Sequence, residues 1–142
     1  MIARPVPVIL GTLSILGILG ILTAVGCSHQ TAEQKEAQSQ GARMQAGGIM
    51  SQRDYVKVRE MAHQVSASHT LSDGDLDWDL AFLKRSDNGI ARARALTVLS
   101  EINAPSDAQR AKISPAVTPY LSSPDALTRE YAESVKRHGG LL

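Results

Sequence analysis

The sequence predicts an all-α fold: a short stack of antiparallel helix pairs behind an apolar N-terminal segment and a flexible tether. Three observations predict it. From Gln52 onward apolar residues recur at three- and four-residue spacing, which puts them on one face of a helix. Polar, Pro- or Gly-containing breaks separate these runs. The aromatic supply is thin, with one Phe, one Trp and three Tyr in 142 residues. The core then rests on Leu, Ile, Val and Ala, which suits packed helices better than a β-sandwich.

The chain divides into residues 1–26, 27–51 and 52–142. The first segment carries one early charged side chain, Arg4, and none from Pro5 to Val25, where Ile, Leu, Val and Gly dominate. Gly26-Cys27 closes the run and Ser28-His29-Gln30 follows at once. A basic start, an apolar middle and small residues before a cut site form the secretory signal pattern. Ala24-Val25-Gly26-Cys27 resembles the lipobox of bacterial lipoproteins, with Ala24 where Leu is commoner. That resemblance implies cleavage between Gly26 and Cys27, a diacylglyceryl group on the Cys27 thiol and a fatty-acyl chain such as palmitate on the freed amine. Each buried methylene adds about 0.8 kcal/mol, and two or more chains anchor stably where one does not. Ser28 after the cysteine, in place of Asp, favours an outer membrane where a cell has two.

A second reading stays open. The uncharged run approaches the roughly 20 residues that span a bilayer and exceeds the usual signal core of about 7–15. An uncleaved single-pass anchor, with Cys27 incidental, fits that length; soluble secretion is the remaining choice. Pro5, Pro7 and the glycines along the run shorten any helix there. With either anchor, Arg4 stays cytoplasmic and the domain faces outward.

Ser28 to Gln52 is rich in Gln, Ala, Ser and Gly, with Gly41 and Gly47-Gly48 interrupting it. Few large apolar residues appear, so a flexible coil is expected, with at most a transient helix over Thr31–Gln40. Twenty-five such residues average about 25–30 Å end to end.

The helices follow in order. Tyr55, Val58, Met61, Ala62 and Val65 form the first stripe, and Ser66 to Gly74 breaks it. Leu76, Leu80 and Leu83 form the second, opened by Ser72 and Asp75 at capping-box spacing. After the turn Asp87-Asn88-Gly89, the clearest stripe is Ala91, Ala95, Val98, Leu99 and Ile102. Asn103 to Asp107 stops that helix and caps the next, whose apolar face is Ile113, Val117, Tyr120 and Leu121. Pro115 and Pro119 either kink this helix or restart it after Ser114. Ser123-Pro124-Asp125 starts the last helix, with Leu127, Tyr131 and Val135 expected inward and Gly139-Gly140 as the stop.

A repeat is visible within residues 76–138. Phe82-Leu83-Lys84-Arg85-Ser86-Asp87 and Tyr120-Leu121-Ser122-Ser123-Pro124-Asp125 are 38 residues apart, and Ile90-Ala91-Arg92 and Leu127-Thr128-Arg129 are offset by 37. The period and the apolar-turn-Arg pattern resemble HEAT or armadillo-like helical repeats. Such stacks need about three repeats, so the helix at 53–67 is expected to supply packing surface as a cap.

No catalytic set emerges, and the chain is read as a non-enzyme. Setting Arg4 aside leaves fourteen basic against fourteen acidic side chains. That balance makes no electrostatic case for nucleic acid. Asp73, Asp75, Asp77 and Asp79 alternate as in a calcium loop. Counted from Asp73, however, Trp78 stands where that loop needs Gly and Lys84 where it needs Glu. A helix start, with carboxylates at the positive end of the dipole, is the plainer reading. His63 and His69 do not share a helical face, and a lone cysteine completes no zinc site, so no metal is expected. No Gly-x-Ser-x-Gly or phosphate-binding Gly loop occurs, and neither a cofactor nor a small-molecule substrate is expected. Arg92, Arg94 and Arg129 are the candidate partner-binding residues, as a basic ridge for an acidic face. The expected role is a membrane-anchored envelope module that binds an unidentified protein, or else a purely structural lipoprotein.

Overall fold

The computed structural model describes residues 31–139. Gly26, Cys27 and the rest of the apolar leader lie outside them, as does Gly140. Six α-helices make up the described chain: α1 (Ala32–Ala46), α2 (Gln52–Ser68), α3 (Asp73–Arg85), α4 (Gly89–Ser100), α5 (Asp107–Val117) and α6 (Ala126–His138). A 3-10 turn, Thr118–Ser122, follows α5. No strand occurs among the described residues, so the fold is all-α. None of these helices is long and apolar enough to cross a membrane.

Short polar side chains start every helix. Thr31, Ser51, Ser72, Ser106 and Asp125 each accept from the backbone N–H three residues on, and Asn88 from Ile90. Each satisfies an amide that the helix itself leaves free. At Thr31 and Ser106 a glutamine three residues later reaches back to the cap amide, completing a capping box. Chain ends are tied across the domain too. The amide of Asn103 donates to the carbonyl of His69, the left-handed C-cap of α2, at 2.9 Å. Tyr120 donates its hydroxyl to the carbonyl of Leu83 at 3.1 Å, fastening the 3-10 turn to α3.

The helical part begins earlier than the expected coil allowed. Ala32–Ala46 is one helix, docked on α2, and Gly41 is buried within it instead of interrupting it. A Cβ at Gly41 would stand 3.0 Å from Gln52 Cγ and 3.2 Å from Tyr55 Cδ1. Its absence is what lets the two helices approach. The Tyr55 hydroxyl bonds to Gln40, Met50 is buried, and Met44 and Ile49 lean on the core. Four side chains too scattered to read as a stripe therefore hold a helix that composition alone leaves marginal.

Helix α4 is the centre of the packing. It lies against α2, α3 and, most closely, α6, and it buries Ala91, Ala93, Ala95, Leu96, Val98 and Leu99. A helix covered on several sides is apolar nearly all round. Small residues make the α4–α6 approach close, with Ala91 and Ala95 buried on one helix and Thr128 and Ala132 on the other. The consecutive pairs α1–α2, α3–α4 and α5–α6 all pack together, α3 touches α5, and α4 lies between α2 and α6. Helix α1 thus completes a third pair where the sequence supplied only a capping helix.

Two local readings shift, and an alternative left open for α5 closes. In α6 the buried face is Thr128, Ala132 and Val135, while Leu127 is 39% exposed and Tyr131 half-buried. Thr128 bonds to Asp125 through both its amide and its hydroxyl, and Asp125 lies against Gly89 at the start of α4. That contact turns the Thr128 face toward α4. In α3 the buried set is Leu76, Asp79, Phe82 and Leu83, with Leu80 only half-buried. The α-helix of α5 runs through Pro115 and passes at Thr118 into the 3-10 turn, neither restarting after Ser114 nor ending there.

We expect Gly41→Val to cost about 1–3 kcal/mol by overpacking the α1–α2 contact. Denaturant unfolding reads the loss, and amide exchange over Ala32–Ala46 tells whether α1 has come loose. Gly89→Ala sets a Cβ 2.5 Å from Asp125 Oδ2. Faster exchange at the Thr128 amide is the expected sign that the α4–α6 joint has opened.

Candidate functional site

The three candidate arginines do not share one ridge. Arg92 donates its Nε to the carbonyl of Ser86 at 2.8 Å and lies over the Tyr120 ring, 5.8 Å from its centroid. Arg129 makes the same bond one repeat later, Nη1 to the carbonyl of Ser123 at 2.8 Å. Ser86 and Ser123 are both buried, and Asn88 and Asp125 cap the two helices. Ile90 and Leu127, equivalent across the repeat, are both exposed. The 37-residue offset therefore holds at the level of individual contacts. Hydrogen bonds from the Thr128 hydroxyl and amide, with the Arg92 and Arg129 charges further off, hold the Asp125 carboxyl below its usual range. These two guanidinium groups brace the inter-helix turns.

Arg94 stands apart. Two residues along a helix is about 200° of rotation, so it projects away from Arg92, over the Tyr55 ring of α2 at 5.4 Å. There it enters a cleft of about 240 Å³ between α2 and α4. Val58 and Ala62 contribute apolar surface, and Arg59, His63, Arg94 and Thr97 supply the polar lining. Arg59 Nε lies 3.4 Å from His63 Nε2. The carboxylate of Glu33, on the first turn of α1, sits 3.7 Å from Arg59 Nη2 and 3.6 Å from His63 Nε2. Those distances exceed hydrogen-bond length, and the Glu33 side chain is 68% exposed. Ser66, further along the cleft, donates to Glu101 at 2.6 Å. Sequence spacing flags none of this, because the groups come from α1, α2 and α4.

The four alternating aspartates go to four places. Asp73 accepts from Gln109 Nε2 at 3.1 Å, and Asp75 pairs with Lys57 at 2.6 Å. The Lys57 ammonium, followed by the Ser72 hydroxyl, holds Asp75 below the usual carboxylate range. Asp77 pairs with Lys112 at 2.7 Å, which raises the lysine. Asp79 points into the core. It is fully buried, and neither carboxyl oxygen has a hydrogen-bond partner among the described residues. Burial alone pushes its carboxyl well above the usual range, because desolvation disfavours the charged form. No convergence of oxygens for a cation results, and no group of three His, Cys, Asp or Glu is gathered anywhere among the described residues.

Ion pairs to aspartates also seam α2 to α3, and an aromatic pair within α3 backs one of them. Arg85 bonds to Asp54 at 2.5 Å and lies over both Trp78 and Phe82, whose rings stack at 5.3 Å. No protein-family model matches the chain, and neither the curated proteins nor the solved structures contain a match to it.

Asp79 makes stability pH-dependent with a definite sign. The folded state keeps a proton that the unfolded chain releases near pH 3.9, so the stabilisation is complete below that value and is lost as pH rises through the raised one. Asp79→Asn removes the titration. We expect the variant to gain on the parent as pH rises above the unfolded-chain value, read as diverging urea midpoints.

Proposed function

We propose that the chain is a cell-envelope lipoprotein, held to a membrane by acyl chains on Cys27, whose helical domain serves as a protein-binding or scaffold module. The observation that carries this reading is the uncharged apolar run ending in Ala24-Val25-Gly26-Cys27, with the chain's single cysteine at the border where polar sequence begins. Only a thiol is nucleophilic enough for the thioether link, and a small Gly26 lets a peptidase reach the backbone. The domain faces outward from the membrane, and the outer membrane is favoured where there are two.

Support for the binding role comes from the helical part. Three packed helix pairs, with Arg92 and Arg129 making matched bonds to Ser86 and Ser123, fit a short HEAT-like stack. Stacks of this kind work by presenting side chains from successive helices to a partner. The charged side chains of α3 are largely spent on neighbouring helices, whereas the two guanidinium groups and the imidazole that line the α2–α4 cleft make no short ion pair.

Intact mass and N-terminal peptide analysis of the membrane-extracted protein tests the anchor. The expected peptide begins at an acylated Cys27, and Cys27→Ser is expected to abolish both the acyl mass and cleavage before residue 27. An intact Met1 terminus with a free Cys27 thiol would overturn the lipoprotein reading in favour of a single-pass anchor.

A further inference from the structure

We propose that the cleft between α2 and α4 receives an acidic side chain of a protein partner, and that Glu33 is a tethered carboxylate holding that place until the partner displaces it. The inference rests on the protein-binding reading above and names the chemistry of the partner: a peptide segment bearing Asp or Glu.

Charge complementarity carries it. Arg59 and Arg94 reach the cleft from different helices, and a guanidinium fork matches a carboxylate in both geometry and charge. Neither is tightly neutralised. Arg94 pairs with no acidic side chain among the described residues and lies over the Tyr55 ring, 5.4 Å from its centroid. Arg59 meets Glu33 only at 3.7 Å, and its Nη1 lies 3.5 Å from the Glu33 backbone carbonyl. Glu101 is turned toward Ser66 at 2.6 Å. The arrangement holds two fixed positive charges and an imidazole against one exposed carboxylate at the rim. It contrasts with the short pairs elsewhere, where Lys57, Arg85 and Lys112 meet aspartates at 2.5–2.7 Å.

Glu33 supplies the second observation. It shows that a carboxylate fits at this rim between Arg59 and His63, and its long distances and exposure make it easily exchanged. The cleft's apolar surface, Val58 and Ala62, suits the methylenes that precede a partner's carboxylate. Displacement of Glu33 also frees the first turn of α1, so binding and the end of α1 are coupled.

The test titrates the full chain, extracted into mild detergent, with a blocked hexaglutamate peptide at low ionic strength, following amide resonances by NMR. The expected result is saturable shifts at Arg59, His63 and Arg94 that fade with added salt. Glu33→Gln should tighten binding about two- to fivefold by removing the competitor, and Arg94→Gln should weaken it about as much. Glu33 is exposed, so its variant stays informative if Arg94→Gln folds poorly. Shifts that never saturate, or an affinity unchanged by Glu33→Gln, would overturn the inference. Saturation by inorganic phosphate or phosphatidylglycerol vesicles at these residues, with none by the peptide, overturns it in favour of a phosphate group. Failure of the peptide with Cys27 acylated removes the cleft and leaves the anchored reading standing, while an unacylated Cys27 bears on that reading alone.

Discussion

Most of the architecture depends on how closely α6 can lie against α4. Ala91 and Ala95 on one helix and Thr128 and Ala132 on the other are all buried, and their small side chains bring the backbones together. At the N-terminal ends the Asp125 carboxylate reaches the bare Cα of Gly89 while capping its own helix through Thr128. With that joint made, α4 has α2 and α3 on its other sides and is nearly surrounded. A helix covered on several sides buries more than one stripe, which is why α4 buries Ala93 and Leu96 beside the stripe read from its sequence.

Polar groups act at the seams between helices and seldom in the core. Arg92 and Arg129 brace the turns before α4 and α6, and Lys57, Arg85 and Lys112 pair with aspartates on neighbouring helices. Exposed pairs of this kind contribute only about 0–1 kcal/mol each, so their value lies in orientation more than in strength. Asp79 is the exception. A carboxyl on the buried face of α3 with Leu76, Phe82 and Leu83 forgoes the hydrogen bonds it would make in water, and its retention there weakens the fold as pH rises.

The α2–α4 cleft differs from these seams because its charges are not matched. Arg59, His63 and Arg94 line it, with Glu33 held loosely beside Arg59 and His63 and Glu101 turned to Ser66. Of the three candidate arginines, the two equivalent across the repeat, Arg92 and Arg129, both serve the turns, and Arg94 opens onto this cleft.

What the sequence determined by itself was local. Helix starts at Ser72, Ser106 and Asp125, the stripes through Val58, Val65, Leu76, Leu83, Val98 and Leu99, and the 37-residue offset between Arg92 and Arg129 all follow from contacts within one or two helical turns. Those patterns sufficed for the all-α class. The anchor reading at Gly26-Cys27 rests on the sequence alone. Only the tertiary structure decided that Gly41 docks α1, that Leu127 faces out and Thr128 in, that Asp79 is buried, that Glu33 reaches Arg59 and His63, and that these two share a cleft with Arg94. Each of these turns on residues brought together from different helices. Periodicity reports which face of a helix is apolar, and it is silent on which neighbour covers that face and how near the neighbour comes.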